Sequence, residues 1–217
     1  MKIKICGIDS LESLQAAVKA GADAIGFVVR NTHLAEDAIE PDKAKELISL
    51  IPPFISTVAV THLTDVDEIV GLVKHMEATT VQIHAYVPPE DVMLVRQRLK
   101  GIKIIKAVHV IDREAIRQAR SFEPHVDAIL LDSRTKERLG GTGITHDWNI
   151  SREIVEKCKK PVILAGGLNP DNVFDAVVKV RPFAVDVNSG VETDRIKDLA
   201  KVIRFINRAR QGELQIG

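Results

Sequence analysis

Cysteine is scarce in this 217-residue chain. Only Cys6 and Cys158 occur, far apart and without CxxC spacing, which excludes a disulfide framework and a zinc ribbon. Net charge is missing as well: 30 Lys+Arg balance 30 Asp+Glu. No overall field recruits nucleic acid or an anionic membrane, so any grip on an anion must be local. No apolar run approaches the roughly 20 residues that span a bilayer. No GxGxxG follows the first strand-like segment, no HxH or HExxH pair occurs, and there is no linker-like or low-complexity tract. A strand-like segment starts directly after Met1, leaving no room for a signal peptide, and a reduced cytoplasmic protein is expected.

What is present is a globular balance of 45% hydrophobic and 28% charged residues. Short β-branched runs alternate with amphipathic segments. The runs are Lys2–Cys6, Ala24–Val29, Ile55–Val60, Thr80–His84, Lys103–Val108, Ala128–Leu131, Pro161–Leu164 and Ala184–Asn188. Between them Leu11, Leu14 and Val18 share a helical face that Gly21 is placed to end, and Pro41 stands at the start of another helix. Thr64-x-x-Asp67 suggests a weak capping box, Asn169-Pro170 a further helix start, and Cys158 a core position in a helical pattern. Strands alternating with helices imply a parallel sheet, and eight strands close a barrel. The expectation is an α/β chain forming a single (β/α)8 TIM barrel over residues 1–217, with Gln211–Gly217 frayed. An open doubly wound sheet is the alternative.

In such barrels ligands sit at the C-terminal ends of the strands, and phosphates commonly near strands 7 and 8. Glycines gather there: Gly140-Gly141-Thr142-Gly143 after strand 6, Ala165-Gly166-Gly167 after strand 7, and Ser189-Gly190 after strand 8. Glycine lets backbone N–H groups approach an anion closely. Gly141, Gly143, Gly166, Gly167, Ser189 and Gly190 are therefore the candidate ligands of a phosphorylated small molecule. Any one segment alone reads equally well as a tight turn. At the same rim, Cys6 ends strand 1 and Asp132 ends strand 6. The thiolate suits a nucleophile, metal ligand or general base, and the carboxyl suits a general acid if an apolar surround raises its pKa. A buried cysteine serving only as a small hydrophobe is the competing assignment.

Taken in order, these residues form a pattern. Lys4-Ile5-Cys6-Gly7-Ile8, Gly21-Ala22-Asp23-Ala24-Ile25-Gly26-Phe27, Val81-Gln82-Ile83-His84 and Leu131-Asp132-Ser133 lead into the glycine segment 140–143. Asp147-Trp148, Leu164-Ala165-Gly166-Gly167-Leu168 and Val185-Asp186-Val187-Asn188-Ser189-Gly190-Val191-Glu192 follow. Across nearly the whole chain this resembles the phosphoribosylanthranilate isomerase family of tryptophan biosynthesis. The resemblance implies an aldose–ketose type isomerase, formally an intramolecular oxidoreductase, that needs no cofactor. It implies Cys6 as general base, Asp132 as general acid and the glycine segments as the phosphate grip.

The family usually carries an arginine for the anthranilate carboxylate after strand 2. Here Asp37 falls at that place, leaving Arg30 or His33 as substitutes. Thr61-His62-Leu63 replaces the usual Phe-Val-Asn after strand 3, and Ala85 the glycine after His84. His62, His84 and His109 fall near the ends of strands 3, 4 and 5. Alone they suggest a metal cluster, but His84 fits the family as a substrate contact and no metal is expected. Lys4 shares parity with Cys6, and Asp186 with Asn188, so Lys4 and Asp186 are expected to pair inside the barrel and to lower the Cys6 pKa. The partner expected is a phosphorylated sugar, with no nucleic acid and no membrane; nothing in the pattern assigns an oligomeric state. Rival functions are a paralogue acting on another phosphoribosyl amine, a non-catalytic sugar-phosphate binder and a metal-dependent hydrolase.

Overall fold

The structure, a computed structural model, describes residues 1–29, 37–133 and 145–216. Arg30, His33, Gly141 and Gly143 lie outside the described residues. All the strand-like runs form strands: β1 (Lys2–Ile5), β2 (Ala24–Val29), β3 (Ser56–Thr61), β4 (Thr80–Ile83), β5 (Lys103–Val110), β6 (Ala128–Ser133), β7 (Val162–Leu164) and β8 (Ala184–Val187). Each pairs in parallel with the next, and β1 pairs with both β2 and β8, which closes the ring into a (β/α)8 barrel. A two-residue strand, Ala38–Ile39, adds to the far end of β2. The helices are α1 (Leu11–Ala20), α2 (Pro41–Ser49), α3 (Val66–Met76), α4 (Pro89–Arg98), α5 (Glu114–Phe122), α6 (Trp148–Lys157), α7 (Val173–Val180) and α8 (Leu199–Ile216).

Strand parity divides the apolar side chains into two cores. Phe27, Leu47, Ile69, Val177 and Phe205 belong to the shell between barrel and helices. Cys6, Val58, Ile105, Leu130, Ile163 and Ala165 fill the barrel itself. Both faces of every strand are thus buried, which is why the strand sequences read as nearly unbroken apolar runs.

Local chemistry sets the helix ends. The Ser10 hydroxyl accepts the Ser13 N–H at 3.2 Å to start α1, and Gly21 ends it in the left-handed region at φ 85°. The capping oxygen of α3 comes from Asp65, which accepts the Glu68 N–H at 2.9 Å, and not from Thr64. Asn169 does not begin α7 directly. Its Oδ1 accepts the N–H groups of Asp171 and Asn172 in a preceding turn, and the helix starts at Val173. Cys158 is the half-buried C-cap of α6.

The expected fraying from Gln211 does not occur: α8 continues to Ile216. Gly212 is buried close to Phe174 O and Val177, Glu213 pairs with the Met1 ammonium, and Ile216 packs on the outer core. Among the described residues no helix is long and apolar enough to cross a membrane.

Candidate active site

Cys6 lies one residue beyond β1, still tied to β8 by its N–H, which donates to Val187 O at 2.8 Å. It is buried in the inner core, sharing that face with Lys4. Gly26 on β2 makes the room: a Cβ there would stand 2.8 Å from Cys6 Sγ and 2.9 Å from Lys4 Cε. The expected ion pair forms. Lys4 and Asp186 are directly opposed across β1 and β8, with Nζ donating to Oδ2 at 2.7 Å and both side chains less than a tenth exposed. Burial opposes the ammonium, but the adjacent carboxylate and thiol outweigh it and raise the Lys4 pKa.

The expected lowering of the Cys6 pKa is not the outcome. Burial pushes the thiol up to about 11, and the Lys4 charge, which acts downward, offsets only part of that. The Asp186 and Asp37 carboxylates add to the rise. Asp132 departs from expectation in the other direction. Burial does favour its neutral form, yet a hydrogen bond from His84, the charges of His84 and His109, and the Ser133 N–H hold its pKa below the ordinary carboxylate value. The contact is His84 Nε2 to Asp132 Oδ2 at 3.2 Å.

His84 is set from several sides. Its N–H donates to Thr61 O at 2.9 Å, and Gln82 Nε2 lies 3.2 Å from its Nδ1. A hydrogen on Nε2 points at Asp132, and Gln82 meets Nδ1 with its amide N–H when the ring is neutral and, turned over, with Oε1 when the ring is protonated. Lys106, fully buried on β5, donates to both carbonyls flanking His84, those of Ile83 (3.3 Å) and Ala85 (2.9 Å), and to Ala107 O at 2.6 Å. Burial draws its pKa down to about 7.

At the other side of the mouth, Gly166 and Gly167 follow β7 with φ of 81° and 68°, and Ser189-Gly190 follow β8 in a short 3-10 turn. The two loops touch: a Cβ on Gly190 would lie 2.0 Å from Leu168 O. Because that neighbour is backbone, Gly190→Ala is expected to destabilise the fold by about 1–3 kcal/mol, the usual range for overpacking, measured by urea unfolding at neutral pH. Gly166 is equally confined, with Ser133 N and Oγ both 2.3 Å from where its Cβ would be.

Two networks escaped sequence reasoning. His146 bridges Ser133 Oγ (2.9 Å from Nδ1) and Ser151 Oγ (2.5 Å from Nε2), tying the end of β6 to α6. The only sequence sign was a histidine beside Asp147, the N-cap of α6. Burial brings the His146 pKa down to about 4 from 6.5, against the upward pull of Asp132 and Asp147. Below about pH 6.5 the unfolded chain therefore takes up a proton that the folded ring refuses. The His146 contribution is complete above pH 6.5 and lost as pH falls through about 4, in all about 3 kcal/mol. His146→Asn is expected to flatten that acid limb in unfolding free energies measured from pH 7 to 4.

The second network contains Asp37. Asn188 Nδ2 donates to Asp37 Oδ2 at 2.6 Å, and Asn188 Oδ1 accepts from Lys197 Nζ at 2.7 Å. Both Asn188 and Asp37 press on Gly7, where a Cβ would meet Asn188 Oδ1 at 2.3 Å and Asp37 Oδ2 at 2.5 Å. The position where an arginine was anticipated thus holds a carboxylate bound into the turn after Cys6.

One barrel mouth therefore carries a buried thiol, a carboxylate paired with an imidazole, and two abutting glycine loops. A family model described as N-(5'phosphoribosyl)anthranilate (PRA) isomerase matches residues 3–208. The chain belongs to this family. It is 43% identical over 213 residues to N-(5'-phosphoribosyl)anthranilate isomerase 2 of Methanosarcina mazei, covering 97% of this chain and 94% of that protein. Among solved structures, phosphoribosyl anthranilate isomerase from Thermotoga maritima superposes with a TM-score of 0.86 at 34% identity, covering 97% and 99% of the two chains. A phosphoribosyl anthranilate isomerase in complex with reduced 1-(o-carboxyphenylamino)-1-deoxyribulose 5-phosphate gives a TM-score of 0.81 at 32% identity, with the same coverage.

Proposed function

We propose that this isomerase converts N-(5′-phosphoribosyl)anthranilate to 1-(2-carboxyphenylamino)-1-deoxyribulose 5-phosphate, the Amadori step of tryptophan biosynthesis. The observation that carries the reading is the inward-facing Cys6 and Asp132 on opposite arcs of one barrel mouth, in a chain of this family. Asp132 gives a proton to the ribose ring oxygen as the C1′–O bond breaks, leaving a Schiff base at C1′. Cys6 takes the C2′ proton, and the electron pair flows toward the nitrogen to give an enolamine. Tautomerisation then yields the ketone. No electrons enter or leave, so the chain needs no redox cofactor for the sequence.

Proton accounting agrees with the electrostatics. Proton donation by Asp132 and loss of the C2′ proton to Cys6 end with a carboxylate and a thiol, the forms that the ligand-free site favours. The next turnover needs one proton removed from Cys6 and one returned to Asp132; His84, with Nε2 3.2 Å from Asp132, hands that proton over from its imidazolium form and is left as the neutral ring. The loops at Gly166-Gly167 and Ser189-Gly190 hold the phosphate through backbone N–H groups, together with Gly141 and Gly143. The anthranilate carboxylate falls to Arg30 or His33, since Asp37 is itself a carboxylate and is engaged with Asn188.

The test is loss of phosphoribosylanthranilate fluorescence on adding the purified protein, repeated with an analogue lacking the ortho carboxylate. Turnover of the anthranilate compound supports the reading. Turnover of the analogue alone transfers the protein to a different phosphoribosyl amine, and turnover of neither overturns the assignment.

A further inference from the structure

His84, His109 and Asp132 meet at the mouth although they come from three adjacent strands. His109 and Asp132 are directly opposed across β5 and β6, and His84 follows β4. The parity that turns Ala107 and Leu130 into the barrel turns His109 and Asp132 inward as well. One ligand atom from each of the three residues lies within 4.8 Å of the other two. The three are half-buried, so the cluster opens to solvent at the mouth. His109 stands edge-on to His84 with ring centroids 5.1 Å apart, and the His62 ring is 4.8 Å from His84 on its other side.

We infer that His84, His109 and Asp132 form a binding site for a borderline divalent transition metal such as zinc or cobalt. Two imidazoles and one carboxylate on one side of an ion leave its remaining positions open, a donor set that suits these metals more than magnesium or calcium. Metal–ligand bonds near 2.1 Å place neighbouring ligand atoms about 3.0–3.4 Å apart. The His84–Asp132 pair already has 3.2 Å, and turning the His109 ring closes the remainder. The outer support is present too. Gln82, buried to 2% exposure, reaches His84 Nδ1, and its Oε1 has no hydrogen-bond partner. Turning the amide over lets that oxygen accept an Nδ1–H, which frees the Nε2 lone pair for an ion. This is the usual way an outer residue fixes a ligating histidine.

Occupation ties up the Asp132 carboxylate, so zinc is a reversible inhibitor of the isomerase. That consequence, unlike binding itself, rests on Asp132 being the acid. Cobalt titration of the chelator-treated full chain is expected to develop a visible d–d absorption band that saturates at one equivalent. His109→Ala is expected to weaken binding by about 10–100-fold or more, since even outer-shell losses reach that range. His75→Ala, which removes the exposed His75–Asp42 pair, is expected to leave it unchanged. In the wild-type protein, substoichiometric cobalt is expected to broaden the His84 and His109 imidazole signals first, a readout independent of any variant's folding.

Absence of a saturable band overturns the site. So does binding lost with His75 but kept in His109→Ala, or a thiolate charge-transfer band that places the ion on Cys6. Stoichiometric binding with no effect on turnover keeps the site and removes Asp132 from acid catalysis. A chelated protein that binds cobalt but never isomerises phosphoribosylanthranilate fails the functional assignment alone.

Discussion

Replacing Cys6 with serine is expected to lower kcat/KM for phosphoribosylanthranilate by about 10²–10⁴-fold, the range that a positioned acid or base supplies. A serine hydroxyl at the same place keeps the volume but ionises far less readily than a thiol. Asp132→Asn is expected to lose a similar factor, because the amide can accept the His84 hydrogen yet cannot deliver a proton to the ring oxygen. Steady-state kinetics on both variants, with KM and kcat separated, check this. Either variant retaining near wild-type turnover removes that residue from the reaction. A companion measurement addresses the thiol itself. Since burial holds Cys6 near 11, its alkylation rate is expected to climb about tenfold per pH unit through the neutral and mildly alkaline range, without a plateau below about pH 10.

Lys4→Met is expected to destabilise the fold by about 3–5 kcal/mol, because it strands the Asp186 carboxylate inside the barrel. Lys4→Met combined with Asp186→Leu is expected to recover most of that loss, since a buried ion pair replaced as a unit by apolar groups is often neutral. Urea unfolding of the single and double variants at pH 7 measures both. The single variant also raises the Cys6 pKa further, as the Lys4 charge acts downward on the thiol, and slows its alkylation at fixed pH. A single variant as stable as the parent shows that water reaches Asp186 and that the pair is not sealed.

Lys4 illustrates why some buried charges can be found without coordinates. Alternation along β1 places Lys4 and Cys6 on one face, and strands 1 and 8 must be neighbours once eight strands close, so the pairing with Asp186 follows from counting. The effect on Cys6 could not be obtained by counting, because it depends on the balance between burial and a neighbouring charge.

Strand identity and order, the placement of Cys6 and Asp132 at the mouth, and the convergence of the loops after strands 7 and 8 were all legible in the chain. Each follows from short-range periodicity plus one closure rule, and such rules need no distances. Other features were not legible. The β4 end is held by Lys106 through carbonyl oxygens, His146 is sealed between two hydroxyls, and Asp37 is captured by Asn188 across 151 positions. Titration directions at Cys6 and Asp132 belong with these. All depend on which polar groups the folded chain brings within about 3 Å and how much water it removes, and both vary steeply with tertiary distance while leaving no periodic trace along the sequence.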